Sequence, residues 1–404
     1  MGTRPEAIKL GPVVVALEAS ASFEPYVVLT AQHRELVDEV LPVFDIRPRH
    51  DLDIIRTGQS LADVTTRALA GLSALLAEDP PDVVVVQGDT TSTFAGALAA
   101  FYAGTPVVHV EAGLRTGNPR SPFPEEVNRR LTTQLTDLHL APTPANRANL
   151  ETEGVDADRV VVTGNTVIDA LLWATDRSPG YGDPALEDLD DDPRRVLLVT
   201  AHRRESWGAS MEAIGSALRE LATEEPELLI VFPIHPNPVV RQAIMPAVSG
   251  LANVRVVEPL AYAAFTALLH RSHLLLTDSG GVQEEGPSLG KPVLVMRDTT
   301  ERPEAVDAGT VRLVGTDHEA IVGSVRELLH DDATYRAMAR AVNPYGDGRA
   351  AERTVAAMAH FFGAGPPAAE FAPDPTRSPE TGPPVAPVDE PRHLRVARGH
   401  QQRP

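Results

Sequence analysis

An apolar run, Leu274 to Leu276, stops at Thr277-Asp278-Ser279-Gly280-Gly281 and passes into Val282-Gln283-Glu284-Glu285 with helical character. A strand turned into a helix through two glycines leaves unpaired backbone N–H groups and the positive end of a helix dipole facing open space. Such a junction binds phosphate. The same order of strand, polar junction and helix recurs at Gln87-Gly88-Asp89-Thr90, at Glu111-Ala112-Gly113 and at Thr200-Ala201-His202. Those three deliver carboxylates and a histidine. The chemistry indicated is a phosphate cradle set against a group of acids.

Each acid also has a bland reading. Asp89 could cap the helix that Thr90-Thr91 opens. Glu111 could be a strand-end carboxylate or a partner for Arg115. Glu125 and Glu126 follow Pro122-Phe123-Pro124 and could be first-turn acids favoured by the helix dipole. Together, Asp89, Glu111 and Glu125 place three carboxylates near one cleft, where burial and mutual repulsion raise a pKa. A carboxylate so raised can take a proton from carbon or return one. His202 lies in Ala201-His202-Arg203-Arg204-Glu205 at a strand end facing the cleft. His235 reads as a loop residue. Arg4 and Arg302 could clamp an anion through their planar forks, or simply form surface ion pairs. The chain has only two lysines, Lys9 and Lys291, against 34 arginines. Lysine is then expected where a compact ammonium is needed, or at an ordinary surface site; Lys9 leaves both readings open and Lys291 reads as a loop residue. The sequence has no HExxH, Walker A or GxSxG pattern, and no metal or cofactor is expected.

The elements that must position these residues follow from periodicity. Valine-, isoleucine- and leucine-rich runs at 26–30, 83–87, 107–110, 138–141 and 160–163 form one series. Runs at 196–200, 228–232, 254–257, 274–277, 293–296 and 311–314 form another. Helical spacing lies between them, as at 61–76, 91–102, 211–221 and 262–270. Such alternation predicts α/β architecture with two doubly wound parallel sheets, each covered on both faces. Residues 1–176 form the first expected domain, 177–193 a linker and 194–349 the second domain. A helix at 350–362 returns to the first domain, and a proline-rich tail over 363–404 is expected to be disordered. In open α/β sheets ligands bind beyond the carboxyl ends of the strands, so all four junctions should meet at one interdomain cleft.

Composition narrows the function. With 404 residues, 43% hydrophobic content and a mean hydropathy of -0.12, the chain suits a soluble two-domain protein. The lack of cysteine excludes disulfides, thiolate metal sites and a thiol nucleophile. A net charge of -20 argues against nucleic acid, though not against a small anion held by local arginines. No signal-peptide core or membrane-length apolar run is evident, and a cytoplasmic address is expected.

Several ordered motifs carry a family resemblance. They are Gly2-Thr3-Arg4-Pro5-Glu6-Ala7-Ile8-Lys9, Gln32-His33-Arg34, Gln87-Gly88-Asp89-Thr90 and Glu111-Ala112-Gly113-Leu114-Arg115-Thr116-Gly117. Pro124-Glu125-Glu126, His202-Arg203-Arg204-Glu205, Ser279 through Glu285 and Glu301-Arg302-Pro303-Glu304 complete them. The chain resembles the non-hydrolysing UDP-N-acetylglucosamine 2-epimerases over residues 2–362. The resemblance implies the GT-B architecture, two Rossmann-like domains with the nucleotide between them. It implies that Ser279, Gly280, Gly281 and Glu285 hold UDP, with Glu285 on the ribose. Arg4, His202 and Arg302 would face the diphosphate, while Asp89, Glu111 and Glu125 surround the sugar with Lys9 nearby. The implied reaction eliminates UDP to a glycal and adds it back, giving the manno epimer. A homodimer is implied as well. The family has a β-strand before Gly-Thr-Arg-Pro, so the first strand of the N-terminal sheet is expected to be missing here. Gly58 stands where some members carry an arginine for an activating second substrate molecule. A UDP-sugar glycosyltransferase of the same architecture and a non-catalytic nucleotide-sugar binder remain alternatives at this point.

Overall fold

The computed structural model describes residues 1–32, 34–56, 58–177 and 180–373. Its strands are β1 (Val28–Leu29), β2 (His50–Asp51), β3 (Val84–Gln87), β4 (Val107–Val110), β5 (Leu138–Ala141) and β6 (Val160–Val162). They continue with β7 (Arg195–Thr200), β8 (Leu228–Pro233), β9 (Val254–Val257), β10 (Leu274–Thr277), β11 (Val293–Val295) and β12 (Val311–Leu313). Every pairing is parallel.

The C-terminal sheet runs in the order β12-β11-β10-β7-β8-β9. Its inner strands read as unbroken apolar runs because both faces are covered. Leu197 and Val199 join one cluster with Ile230, Phe232 and Leu276. Val196 and Leu198 join the other with Leu229, Val231 and Leu275. Successive side chains point to opposite faces, so a strand buried on both sides has no polar alternate. Strand order reverses between β7 and β10, which is where a crevice opens in a doubly wound sheet. There Thr200 pairs in register with Thr277, their hydroxyls 2.5 Å apart. The chain beyond each threonine therefore leaves the sheet side by side, carrying His202 from one strand and Ser279 from the other.

The N-terminal region has its sheet in two pieces, β3-β4-β5-β6 and β1-β2. Between β1 and β3 lies a cavity of about 730 Å³, lined by Leu10, Val13, Val14, Val28, Val84 and Val86 among others. Met1 borders it: its nitrogen donates to Val28 O at 2.8 Å, and its carbonyl accepts from Thr30 N at 2.9 Å. Helix Arg4–Glu18 packs Leu10, Val13 and Leu17 against Val108, Val110 and Leu140 of the larger piece. In that piece Gln87 pairs with Val110, so the junctions bearing Asp89 and Glu111 emerge together.

In the segment expected to link the domains, Tyr181, Leu186 and Leu189 are buried in a C-terminal cluster and Arg255 pairs with Asp188. The described start of the tail is packed: Phe371 is 4% exposed, donates its N–H to Val162 O at 2.8 Å and lies against β6. The polar β2 was unforeseen, since a two-residue strand pairs through backbone alone and leaves no periodic signal. Helix Ala350–Phe361 buries Ala351, Ala357 and Met358 against β4 and β5, and Asp169 accepts the N–H groups of Ala350 and Ala351 at its start. His33, Ser178, Pro179 and the tail beyond residue 373 lie outside the described residues.

Candidate active site

On the C-terminal side the helix Gly280–Ser288 begins at Ser279, whose side chain makes no capping bond. The first amides of that helix thus remain open donors. A Cβ on Gly280 would come within 2.6 Å of Arg302 Nη1. The missing side chain is what lets the guanidinium lie directly over the helix start. Arg302 Nε donates to Glu284 Oε1 at 2.7 Å. Burial opposes the charge of Arg302, but Glu284 outweighs it and raises the pKa. Glu285 is 7% exposed, and burial followed by Glu284 pushes its carboxyl up to about 7, against the pull of Lys9, Arg4 and Arg302. Arg4 thus acts on Glu285 from the first turn of helix Arg4–Glu18.

His202 is held from β10. Asp278, 1% exposed, accepts the backbone N–H groups of His202 at 2.6 Å and Arg203 at 2.8 Å through Oδ2. Its Oδ1 lies 2.7 Å from His202 Nδ1. His235 stacks on the same ring, centroids 6.0 Å apart and 25° between planes.

On the N-terminal side Glu111 is the centre. Its backbone has φ +64°, a left-handed conformation that strains a side-chain-bearing residue. The strain carries the carboxylate inward, where Lys9 and the Gln87 amide both bond it. Burial raises the pKa of Glu111; Lys9 opposes the rise, while Glu284 and Asp89 add to it. Lys9 stays charged: burial opposes it, but Glu111 and then Glu284 raise its pKa. Asn165 Nδ2 donates to Glu284 Oε2 at 3.2 Å and approaches Glu111 Oε1 at 3.4 Å. One amide therefore joins Glu111 to Glu284 of the helix that follows Ser279.

The bland readings of Asp89 and Glu111 give way, while Glu125 and Glu126 do stand in the first turn of helix Glu125–Leu135. Thr90, not Asp89, caps its helix, accepting from Thr93 N at 3.1 Å. Asp89 pairs instead with Arg129 at 2.7 Å and remains 26% exposed at its side chain. Arg115 pairs with Glu153 and leaves Glu111 to Lys9. Glu126 is fully buried, accepts from Thr116 and Gly117, and pairs with Arg129 and Arg130. Glu125, one turn before Arg129, shares the helix face turned to Asp89, and its Oε2 is buried with no partner among the described residues.

Lys9, Glu111, Glu284, Glu285, Arg4 and Arg302 form one charged group, with Ser279 and Gly280 beneath it. Asp89 acts on that group through its field at Glu111, and Glu125 stands one helix turn before Arg129, the partner of Asp89. His202 stands with Asp278 beside Ser279 and touches neither. Reading by type and spacing passed over Asp278, Glu284 and Asn165. Gly164-Asn165-Thr166 follows a strand and opens a helix, the very pattern used for the other junctions. Among the described residues no cluster of side chains suits a metal ion.

The family model of UDP-N-acetylglucosamine 2-epimerase matches residues 15–359. A UDP-N-acetylglucosamine 2-epimerase of Escherichia coli K12 is 53% identical over 363 residues, spanning 88% of this chain and 96% of that one. One of Yersinia pestis is 52% identical over 362 residues, spanning 88% and 96%. The crystal structure of the UDP-GlcNAc 2-epimerase of Neisseria meningitidis bound to UDP-GlcNAc superposes with a TM-score of 0.80 at 46% identity, covering 89% of this chain and 98% of that one.

Proposed function

The chain belongs to the UDP-N-acetylglucosamine 2-epimerase family, and from that we propose how its own residues interconvert UDP-GlcNAc and UDP-ManNAc. The observation that carries the reading is the continuous path from Glu111 through Asn165 and Glu284 to Arg302 over Gly280. It links a carboxylate whose pKa burial raises to the junction proposed to hold phosphate.

UDP binds with its diphosphate on the open amides after Ser279, Gly280 and Gly281, clamped by Arg302 and Arg4, and with its ribose on Glu285. Glu111 takes the proton from C2. The C2–H electron pair becomes the C1–C2 double bond as the C1–O bond breaks, and UDP leaves with that bond's electrons. Arg302, the helix amides and His202 stabilise the charge growing on the diphosphate. The glycal then receives a proton at C2 on the opposite face, from the acids Asp89 and Glu125, and UDP oxygen reattacks C1. Lys9 holds Glu111 ionised between turnovers. The C2 proton is weakly acidic, so the base must be desolvated, as Glu111 is at 8% side-chain exposure. The glycal must be kept from water until UDP returns, which suits a site enclosed between two domains.

The same reading makes the protein a cytoplasmic homodimer whose product enters polysaccharide synthesis. Its supports are the family, the exposed Phe101 and Tyr102 at the end of helix Thr91–Ala103, and the lack of any membrane-length apolar helix among the described residues.

Incubation with UDP-GlcNAc in deuterated water, followed by NMR of the sugar, tests the reaction. Deuterium at C2 together with a manno product is expected. Unlabelled, unchanged UDP-GlcNAc would remove epimerisation, and transfer only when an acceptor is added would mark a glycosyltransferase.

A further inference from the structure

We propose that Asp278 is a positioning residue for the epimerisation, holding the His202 ring so that Nε2 donates to the departing diphosphate. The inference rests on the reading above for the identity of the leaving group, and on geometry for the rest.

Asp278 is the first residue after β10, in the junction that becomes the phosphate cradle. At 1% exposure it is an unusual place for a carboxylate, since an unpaired buried charge is costly. Its two oxygens divide the work. Oδ2 accepts the backbone amides of His202 and Arg203, which fixes the start of the loop after β7. Oδ1 lies 2.7 Å from His202 Nδ1, and no other donor reaches that oxygen among the described residues. Among the described residues the imidazole is therefore the one side chain at ion-pair distance from this carboxylate. Two strands away in the order of the sheet, His235 covers the ring from β8 and limits its rotation.

A histidine whose Nδ1–H is spoken for by a carboxylate presents Nε2 as the working nitrogen, in the tautomer or charge state that carries a proton there. The His202 side chain is 40% exposed, and Nε2 has no protein partner among the described residues. The groups facing the ring are Asp278 and His235, with Arg203 directed at the Asp278 carbonyl, its Nε 3.3 Å away. Asp278 is thus the one anion in contact with it. Burial works against ionisation of Asp278, but the bonds from His202 and the two amides outweigh it and hold the carboxyl below its usual range. It remains an acceptor at neutral pH.

No proton need be transferred to UDP for this role. Negative charge moves onto the diphosphate as C1–O breaks, and a fixed N–H donor is worth more there than in the ground state. The effect therefore belongs in kcat rather than in KM. Nor does Asp278 touch the sugar. Its influence passes through His202, which sets the test.

A double-mutant cycle on the full chain separates positioning from mere support. D278N keeps an oxygen for the two backbone amides and turns an amide N–H₂ toward Nδ1. It is expected to lower kcat about 50-fold with KM for UDP-GlcNAc changed less than about 3-fold. In the H202N background the same change should cost less than about 3-fold more, because there is no ring left to position. An equal loss in both backgrounds, or a rise in KM with kcat unchanged, overturns the proposal. A second readout uses 15N-histidine-labelled wild-type protein with UDP alone. His202 should show a protonated Nδ1 whose proton resonates far downfield and exchanges slowly; an unprotonated Nδ1 overturns the proposal even if D278N fails to fold. Since UDP suffices for that spectrum, a chain that binds UDP without epimerising would sink the reaction and leave the contact readable.

Discussion

The two walls of the site are built on different principles. On the proposed reading the C-terminal wall would grip its ligand mainly with backbone, through amides at a helix start and a glycine that lets Arg302 approach. Its sheet is continuous across β12-β11-β10-β7-β8-β9 and packed on both faces. The N-terminal wall is built of paired side chains: Lys9 with Glu111, each shifting the other's ionisation, and Asp89 with Arg129. Its sheet is in two pieces, and Arg4 and Lys9 ride on a helix that borders the cavity between them. The proposed binding groups thus lie on the continuous sheet and the proposed proton-transfer groups beside the divided one. A backbone cradle follows automatically from a strand-to-helix junction. A tuned carboxylate needs several elements to arrive together.

The largest break of that contrast is E111Q. It removes the proton acceptor and leaves the UDP wall alone, so kcat should fall roughly 10³-fold. Calorimetry with UDP should give an affinity within about 3-fold of wild type; a parallel loss of affinity would mean that the walls are not separable. Next comes support for the N-terminal sheet. A six-residue apolar, β-branched segment joined ahead of Met1 enters the cavity beside β1, because Met1 already pairs with Val28 and Thr30. Filling the cavity and pairing two strand edges should stabilise by about 3 kcal/mol or more. Hydrogen exchange at Val28 and Leu29 should slow while that at Leu197 and Leu198 stays unchanged; equal slowing in both sheets would erase the distinction.

G280A probes the other wall. The added methyl meets the Arg302 guanidinium, and UDP binding should weaken about 20-fold, corresponding to roughly 2 kcal/mol of displacement. Incorporation of deuterium at C2, measured at saturating substrate, should change less. The smallest effect is the pH dependence of the grip. Glu285 has its carboxyl pushed up to about 7 in the free protein, so it is protonated below that pH and ionised above. Ribose hydroxyls need an acceptor, hence UDP affinity should fall about tenfold from pH 8 to pH 6. E285Q should flatten that slope, and a slope that persists in the variant would move the titration elsewhere.

Much of the architecture was legible because parallel strands buried on both faces must be apolar throughout. Each run expected to be a strand is one, and helices foreseen at 61–76 and 91–102 appear as Leu61–Glu78 and Thr91–Ala103. The site was legible as a set of junctions, since only strand-to-helix turns combine a polar break with flanking periodicities of different kinds. Its wiring was not. Glu126 looked like the twin of Glu125, yet one is locked among Arg129, Arg130 and two amides while the other keeps an unpartnered oxygen. A helix turn of 100° per residue sends neighbours to different surroundings, and which surroundings those are depends on what packs there. Phe371 offers the same lesson in reverse, one aromatic residue anchoring a stretch whose composition reads as loose.

The order of apolar runs and polar breaks by itself determined two parallel sheets, the strand-to-helix junction at Ser279-Gly280-Gly281 and the acids at neighbouring strand ends, because burial and backbone geometry are local demands written into residue type. Only the tertiary structure decided which charge meets which: Lys9 with Glu111 across 102 positions, Asn165 with Glu284 across 119, His202 with Asp278 across 76. Electrostatic pairing depends on distance in space and on exclusion of water, and neither exists until the elements have packed.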